Sequence, residues 1–160
     1  MRNLVRSIVL LLALGLSEPV LAGPLEDADA AYRKQDYTTA LRLAADQGDA
    51  GAQFNLGLMY DLGRGVPQDY AQAVKWYRLA ADQGYARAQS RLGFMYSLGH
   101  GVPKDYVQAV KWFNLSAARA SADEKDVRDH AAKALDELAS MMTPAQVAEA
   151  QKRASAWKPK

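Results

Sequence analysis

Residues 44–79 read AADQGDAGAQFNLGLMYDLGRGVPQDYAQAVKWYRL, and residues 80–115 read AADQGYARAQSRLGFMYSLGHGVPKDYVQAVKWFNL. Aligned without a gap, these two copies are identical at 25 of 36 positions. A repeat of this period is typical of stacked supersecondary units, each of which buries an apolar face against its neighbour. The repeat therefore predicts a stacked array, and the first and second copies are its units.

Each copy carries the signals of two helices. Its apolar residues recur every three or four positions, which is the helical period. In the first copy we expect one helix from about Asp49 to the glycine turn at Gly63, and a second helix that Asp69 caps and that ends near Gly84. Each copy is thus predicted to be a helix hairpin. The predicted fold is all-α, an α-solenoid of antiparallel helix hairpins.

Two glycines lie inside predicted helices, at Gly57 and at the equivalent Gly93. Glycine in a helix interior costs about 1 kcal/mol relative to alanine, so some contact must offset it. We expect a close approach between helices, with the backbone of these glycines against the Ala73 or Ala109 side of the partner helix.

The two copies, residues 44–79 and 80–115, belong to a predicted repeat region that covers residues 44–121. Incomplete units flank this region. Residues 23–48 are predicted to form an N-terminal capping half-repeat. Residues 122–160 are predicted to form C-terminal capping helices, with a seam of Val127, Ala131, Ala134 and Leu138. Terminal units of helical arrays are normally atypical in this way.

The first 22 residues resemble an export signal. Arg2 and Arg6 precede an apolar run. Residues of small or moderate size follow up to Ala22, and we expect cleavage after Ala22. A retained membrane anchor is the alternative, although the run is shorter than the roughly 20 residues needed to span a bilayer. The chain contains no cysteine, so it carries neither a disulfide nor a lipid-modified cysteine. We expect an exported protein, periplasmic or secreted, with no membrane span after signal cleavage.

The letters A-Q-x-x-L-G-x-M-Y, G-x-G-V-P-x-D-Y and A-V-K-W, present in both copies, resemble the Sel1-like repeat (SLR) family, relatives of the tetratricopeptide repeats. Residues 142–159 look like the tail that follows such repeats in some exported bacterial proteins. The resemblance implies a scaffold or recognition module for other proteins, and generally not an enzyme. Some cysteine-rich members have been described as binding or hydrolysing β-lactams, but this chain has no cysteine.

Catalytic motifs are weak. Ser155 and Lys158 match S-x-x-K, but the companion motifs of penicillin-recognising enzymes are missing, so we interpret the match as accidental. His100 takes the place of Arg64 in the first copy and is interpreted as an exposed loop residue. We predict no catalytic, cofactor-binding or metal-binding residues. After signal removal the net charge is +1 with both signs interspersed, which is not typical of a nucleic-acid binder.

Comparison of the copies suggests a partner surface. The residues of the first helix that differ between copies recur at spacings of three or four and so share one stripe, which in stacked helix pairs commonly lines the concave face. The candidate partner-binding residues are Phe54, Asn55, Leu58, Arg87, Arg91 and Phe94. Phenylalanine and leucine would supply apolar contact, and arginine would bind a carboxylate. The alternative is that these positions simply drift on a solvated face.

Three functions follow as hypotheses. We favour a non-enzymatic interaction or scaffold module of the bacterial periplasm, with a protein or peptide partner in the cell envelope. The alternative is a small cell-envelope hydrolase or a binder of peptidoglycan or β-lactams. A third is a structural subunit that assembles with itself, although we expect a monomer.

Overall fold

The computed structural model describes residues 37–160, which form seven helices and no strand. The first, α1, covers 37–46 of the described residues. The others are α2 (Ala50–Leu62), α3 (Tyr70–Asp82), α4 (Ala86–Leu98), α5 (Tyr106–Arg119), α6 (Lys125–Ala139) and α7 (Pro144–Ser155). The predicted signal peptide and residues 23–36 of the predicted half-repeat lie outside the described residues. The all-α helical-repeat prediction is confirmed.

The helix ends follow from the capping residues. Asp49 precedes α2, and its carboxylate accepts a hydrogen bond from the Ala52 amide at 2.6 Å. Asp69 does the same for α3 through the Gln72 amide at 3.0 Å. Gly63 ends α2 in the left-handed conformation, where glycine carries no steric cost. The predicted bounds of these two helices are confirmed.

The helices pack as successive hairpins. Helix α2 packs on α3, α4 packs on α5, and α3 packs on α4, so the two hairpins are stacked. Helix α6 then packs on α5, with Val127, Ala131 and Leu138 buried and Ala134 half-buried. Helix α7 also packs on α5 and begins with a capping box in which Thr143 and Gln146 bond reciprocally. The apolar seam of α6 thus covers the free side of the second hairpin.

The helical glycines make close contacts, but with aromatic rings. A methyl group built at Gly57 would lie 2.6 Å from Cδ1 and Cε1 of Tyr77, and one at Gly93 would lie 3.1 Å from the Phe113 ring. Tyr77 and Phe113 are the same position of the two copies. The expected approach to the Ala73 or Ala109 side of the partner helix is confirmed, because Tyr77 and Phe113 follow these alanines by four residues and so lie on the same helix face. The missing glycine side chain makes room for the ring at that position.

The end of the chain folds back onto the second hairpin. We call residues 156–160 the tail. The Trp157 ring lies edge-on to Trp112, with centroids 6.3 Å apart, and the Arg119 guanidinium lies 4.5 Å from the centre of the Trp157 ring. The Lys160 backbone amide donates to the Asp82 carbonyl at 2.9 Å, and its Nζ donates to the Asp82 carboxylate at 3.2 Å. The tail therefore spans from the core of α5 to the end of α3.

Candidate protein-interaction groove

A groove of about 620 Å³ lies between the first helices of the two hairpins and α6. Helices α2 and α4 contribute Phe54, Leu58, Arg87, Ser90, Arg91 and Phe94. Helix α6 contributes the facing wall, formed by Asp126, Val127, His130, Lys133, Ala134 and Glu137, and Phe113 of α5 also lines the groove. The groove combines aromatic and aliphatic surface with charged side chains, which is the composition expected of a site for a peptide segment.

Five of the six residues predicted to bind a partner line this groove. Asn55 does not, and it is exposed outside it. Phe94 is 51% exposed and Leu58 is half-buried, so both offer apolar surface. Phe54 is only 8% exposed and packs against Tyr77 and Tyr85, with ring centroids 5.9 and 5.3 Å away. The expectation that Phe54 lies on a free stripe is therefore only partly met, because most of its ring belongs to the core.

The groove opens at a position where the two copies differ in side-chain size. Phe54 fills the space beside its hairpin, whereas Ser90 occupies the equivalent position of the second copy and lines the groove. The serine side chain carries a hydroxyl group where the phenylalanine side chain carries a phenyl ring, so it fills much less volume. The space that Phe54 fills in the first copy is thus left open between α4 and α6.

Both predicted arginines already face acidic groups of the chain. Arg87 Nε donates to Glu124 Oε1 at 3.0 Å, and Arg91 Nη1 lies 4.0 Å from Asp61 Oδ2. The side chains of both arginines are about half exposed. A guanidinium carries five N–H donors, and these contacts use few of them. A ligand carboxylate can therefore still be bound at the edge of the groove.

Asp61, the acidic neighbour of Arg91, also accepts a hydrogen bond from the second helix of its own hairpin. The Tyr77 hydroxyl donates to its carboxylate at 2.9 Å. Burial raises the pKa of Tyr77 above its usual range, and the neighbouring Asp61 carboxylate raises it further. In the second copy these positions are Ser97 and Phe113, so the acid and the hydroxyl are absent together. The difference between Asp61 and Ser97, noted from the sequence as part of the variable stripe, thus accompanies a difference in the core.

The sequence did not indicate the role of α6. Its charged residues predict a solvent-exposed face with ion pairs between residues four apart. Such pairs are present, and one joins Lys133 Nζ to Glu137 Oε1 at 4.0 Å. The same face also forms the second wall of the groove. The available signal was the seam from Val127 to Leu138, which shows that one side of α6 must lie on the array.

The weak chemical motifs have structural explanations. The Ser155 hydroxyl donates to the Gln151 carbonyl of its own helix at 3.0 Å. His100 is half-buried and stacks on Tyr70 at 4.6 Å between ring centroids, so it is not simply an exposed loop residue as expected. Within residues 37–160, no group of three His, Cys, Asp or Glu side chains is placed to hold a metal ion.

Comparison with known families identifies the repeat. The family model for the Sel1 repeat matches residues 50–85 and 86–121. This is the 36-residue period of the two copies, counted from the first helix of each hairpin and so displaced by six residues from 44 and 80. No curated protein matches the chain. In the described part of the chain, no helix has both the length and the apolar character needed to cross a bilayer.

Solved structures of similar fold support the same assignment. The crystal structure of c5321, a protective antigen present in uropathogenic Escherichia coli strains displaying an SLR fold, covers 75% of this chain with a TM-score of 0.68 and 34% identity. A Sel1 repeat protein from Oxalobacter formigenes covers 51% with a TM-score of 0.50 and 42% identity. Cysteine rich protein B from Helicobacter pylori covers 59% with a TM-score of 0.54 and 28% identity.

This chain spans 24% of the length of the first of these structures, 62% of the second and 71% of the third. What is shared with all three is therefore the repeat, and the activities and partners of these proteins do not transfer with it. The matched repeats, the hairpin stacking and the SLR neighbours agree with one another. The chain therefore carries two Sel1 repeats, over residues 50–85 and 86–121, in an all-α helical-repeat fold.

Proposed function

We propose that this protein is an interaction module of the bacterial periplasm that binds a partner protein or peptide in the groove. Sel1-repeat proteins are generally protein-interaction modules rather than enzymes. We assign binding to the groove because Phe94, Leu58 and two half-exposed arginines line it together. Enzymatic activity is not needed to account for any of these residues.

The groove favours a ligand with one apolar and one acidic group. Phe94 exposes half of its surface beside Leu58, and burying such side chains against a ligand is favourable. Arg91 is the better carboxylate site, because its 4.0 Å separation from Asp61 is longer than a hydrogen bond. Arg87 is bonded more closely to Glu124 and has fewer donors to offer. We therefore assign the carboxylate contact first to Arg91.

The periplasmic location rests on the first 22 residues, whose charged start, apolar run and small residues before Gly23 are typical of a cleaved export signal. Cleavage after Ala22 predicts a mature protein that begins with Gly23. Amino-terminal sequencing of the protein purified from the cell envelope tests this, and an intact Met1 in a cytosolic fraction would contradict it.

The partner surface is best tested by photo-cross-linking in the native host. The photoreactive residue benzoylphenylalanine replaces Phe94 inside the groove and, in a separate variant, Asn55 outside it. Both positions are exposed, so they report general collisions equally. We expect a specific adduct from position 94 and not from position 55.

Two further variants identify the contacts. Ser90→Phe introduces a ring where the second copy is open, and Arg91→Glu reverses the proposed carboxylate site; each should abolish the adduct. Arg64→Glu makes the same charge change in an exposed turn outside the groove and should leave the adduct unchanged. Circular dichroism confirms that each variant is folded. Equal adducts at positions 94 and 55, or full retention in both groove variants, would refute the proposal.

A further inference from the structure

The tail occupies a defined site on the second hairpin. Trp157 covers the edge of Trp112, and Lys160 bonds to both the backbone carbonyl and the carboxylate of Asp82. Lys111 also contacts the Trp112 ring, with Nζ 4.2 Å from its centre. The site therefore recognises a tryptophan followed three residues later by a lysine.

The same site recurs 36 residues earlier in the chain. Trp112, Asp82 and Lys111 correspond to Trp76, Asp46 and Lys75, and these three residues line a shallow cavity of about 640 Å³. A further contact is repeated around both. Arg42 Nη2 donates to the Tyr60 hydroxyl at 2.9 Å, and the equivalent Arg78 donates to the Tyr96 hydroxyl. We call this cavity the Trp76 surface.

The two sites differ chiefly in what binds their acidic residue. Both tryptophans are largely buried, Trp112 at 1% and Trp76 at 9% exposed, and the edge of Trp76 lines the cavity. The Asp82 side chain is 20% exposed and bound by Lys160, whereas Asp46 is exposed and is paired with no Lys or Arg among residues 37–160. The repeat has thus produced two copies of one recognition site, and among the described residues only the second is filled.

We propose that the Trp76 surface binds a segment of a partner protein in which a tryptophan or another aromatic residue is followed three residues later by a lysine. The aromatic ring packs on the edge of Trp76, and the lysine binds the Asp46 carboxylate. This surface shares no residue with the groove between α2, α4 and α6, so the proposal stands independently of the function assigned to that groove.

The tail of a second copy is a poorer occupant than a partner segment. Each tail is tethered beside its own second hairpin, where its effective concentration is about millimolar, so it is mostly unavailable to another molecule. The two sites also differ at a residue that contacts the tail. Arg119, which stacks on Trp157, corresponds to Gln83, whose amide donates instead to the Gly48 carbonyl at 2.9 Å. The Trp76 surface lacks that stacked cation, so we expect it to bind more weakly than the site of the tail.

The test uses the full chain labelled with nitrogen-15 and the synthetic peptide ASAWKPK, which has the sequence of residues 154–160. The readout is the indole N–H signal of Trp76, assigned with a Trp76→Phe variant, so that binding at the second hairpin is not counted. We expect this signal to shift and to saturate at peptide concentrations of about 1 mM. A control peptide with alanine in place of tryptophan should not shift it.

A pair of charge reversals locates the lysine contact. Asp46→Lys should lower the affinity for the peptide by about fivefold, since the attraction between the peptide lysine and the Asp46 carboxylate becomes a repulsion between two lysines. Asp136→Lys makes the same charge change on the exposed face of α6 and should leave the affinity unchanged. An unshifted Trp76 signal, equal binding of the alanine peptide, or equal weakening by both variants would overturn the proposal.

Two other occupants are separate outcomes of the same experiment. A concentration-dependent dimer in sedimentation that disappears in Asp46→Lys would assign the surface to a second copy. Because the chain has no cysteine, a single spin label can be placed in the preceding segment at Ala30→Cys. Broadening of the Trp76 signal by that label would assign the surface to the chain's own residues before Tyr37. Either result would overturn a partner segment as the occupant.

Discussion

Replacement of Gly57 by alanine, compared with the same change at Gly93, tests how the hairpins are held together. The two glycines occupy the same position of the two copies and differ in the space behind them. A methyl group at Gly57 would lie 2.6 Å from two atoms of the Tyr77 ring, whereas one at Gly93 would lie 3.1 Å from the Phe113 ring. Only the first distance is too short to be relieved by a small movement.

Tyr77 is also less able to move than Phe113. It is fully buried, and its hydroxyl is bonded to Asp61 at 2.9 Å, so displacement of the ring breaks or stretches this bond. Phe113 is also buried but has no hydroxyl bond to break, so we expect the shift of a few tenths of an ångström that a methyl group at Gly93 requires to cost less. The restraint on Tyr77 thus adds to the steric cost at Gly57.

The expected magnitudes follow from two opposing effects. Overpacking a core costs about 1–3 kcal/mol, and a tethered buried ring places Gly57→Ala at the upper end of that range. Alanine in place of a helical glycine recovers about 1 kcal/mol. We therefore expect Gly57→Ala to lower the free energy of unfolding by about 2 kcal/mol and Gly93→Ala to change it by about zero.

The assay is urea denaturation followed by far-ultraviolet circular dichroism. A third variant serves as the control: Asp61→Ser with Tyr77→Phe gives the first copy the residues of the second. In that background Gly57→Ala should lose most of its cost, since the ring is no longer tethered. Equal losses for Gly57→Ala and Gly93→Ala in the native background would refute the reasoning.

Three other variants test turns and side-chain contacts within and between the hairpins. Gly101→Ala should lower the free energy of unfolding by at least about 3 kcal/mol, because φ is +70° and the added methyl would lie 2.3 Å from the Tyr70 carbonyl oxygen. Gly48→Ala, also at positive φ but with open space around it, should cost only about 1–2 kcal/mol, and equal thermal shifts would contradict this difference. Gln83→Ala removes the amide that donates to the buried Gln53 Oε1 at 2.8 Å, so unfolding in urea should show a loss of about 1–2 kcal/mol; an unchanged midpoint would show that water replaces the bond.

The hairpins could be predicted because their signals are local. Asp49 and Asp69 cap helices within three residues of themselves, and Gly63 ends α2 through its own backbone conformation. A 36-residue period then requires that neighbouring hairpins stack. None of these inferences depends on knowing which distant residues meet.

The candidate groove was only half predictable for the opposite reason. The stripe from Leu58 to Phe94 could be read by comparing the copies, because those positions share a helix face. The opposing wall belongs to α6, which has no counterpart in the repeat, so its position is decided by tertiary packing alone. Phe54 illustrates a further limit: a residue that differs between copies can still be buried, when its equivalent, Ser90, faces a different neighbour.

The wall supplied by α6 also sets how much of a ligand the groove can hold. Its lining residues run from Asp126 to Glu137, a length of about 16 Å along a helix that rises 1.5 Å per residue. An extended peptide covers that length with about five residues. So short a contact recognises a motif rather than a folded surface, and its complex should be weak and readily reversible. A partner that carried a second motif for the Trp76 surface would gain residence time through avidity, without any tighter contact at either site.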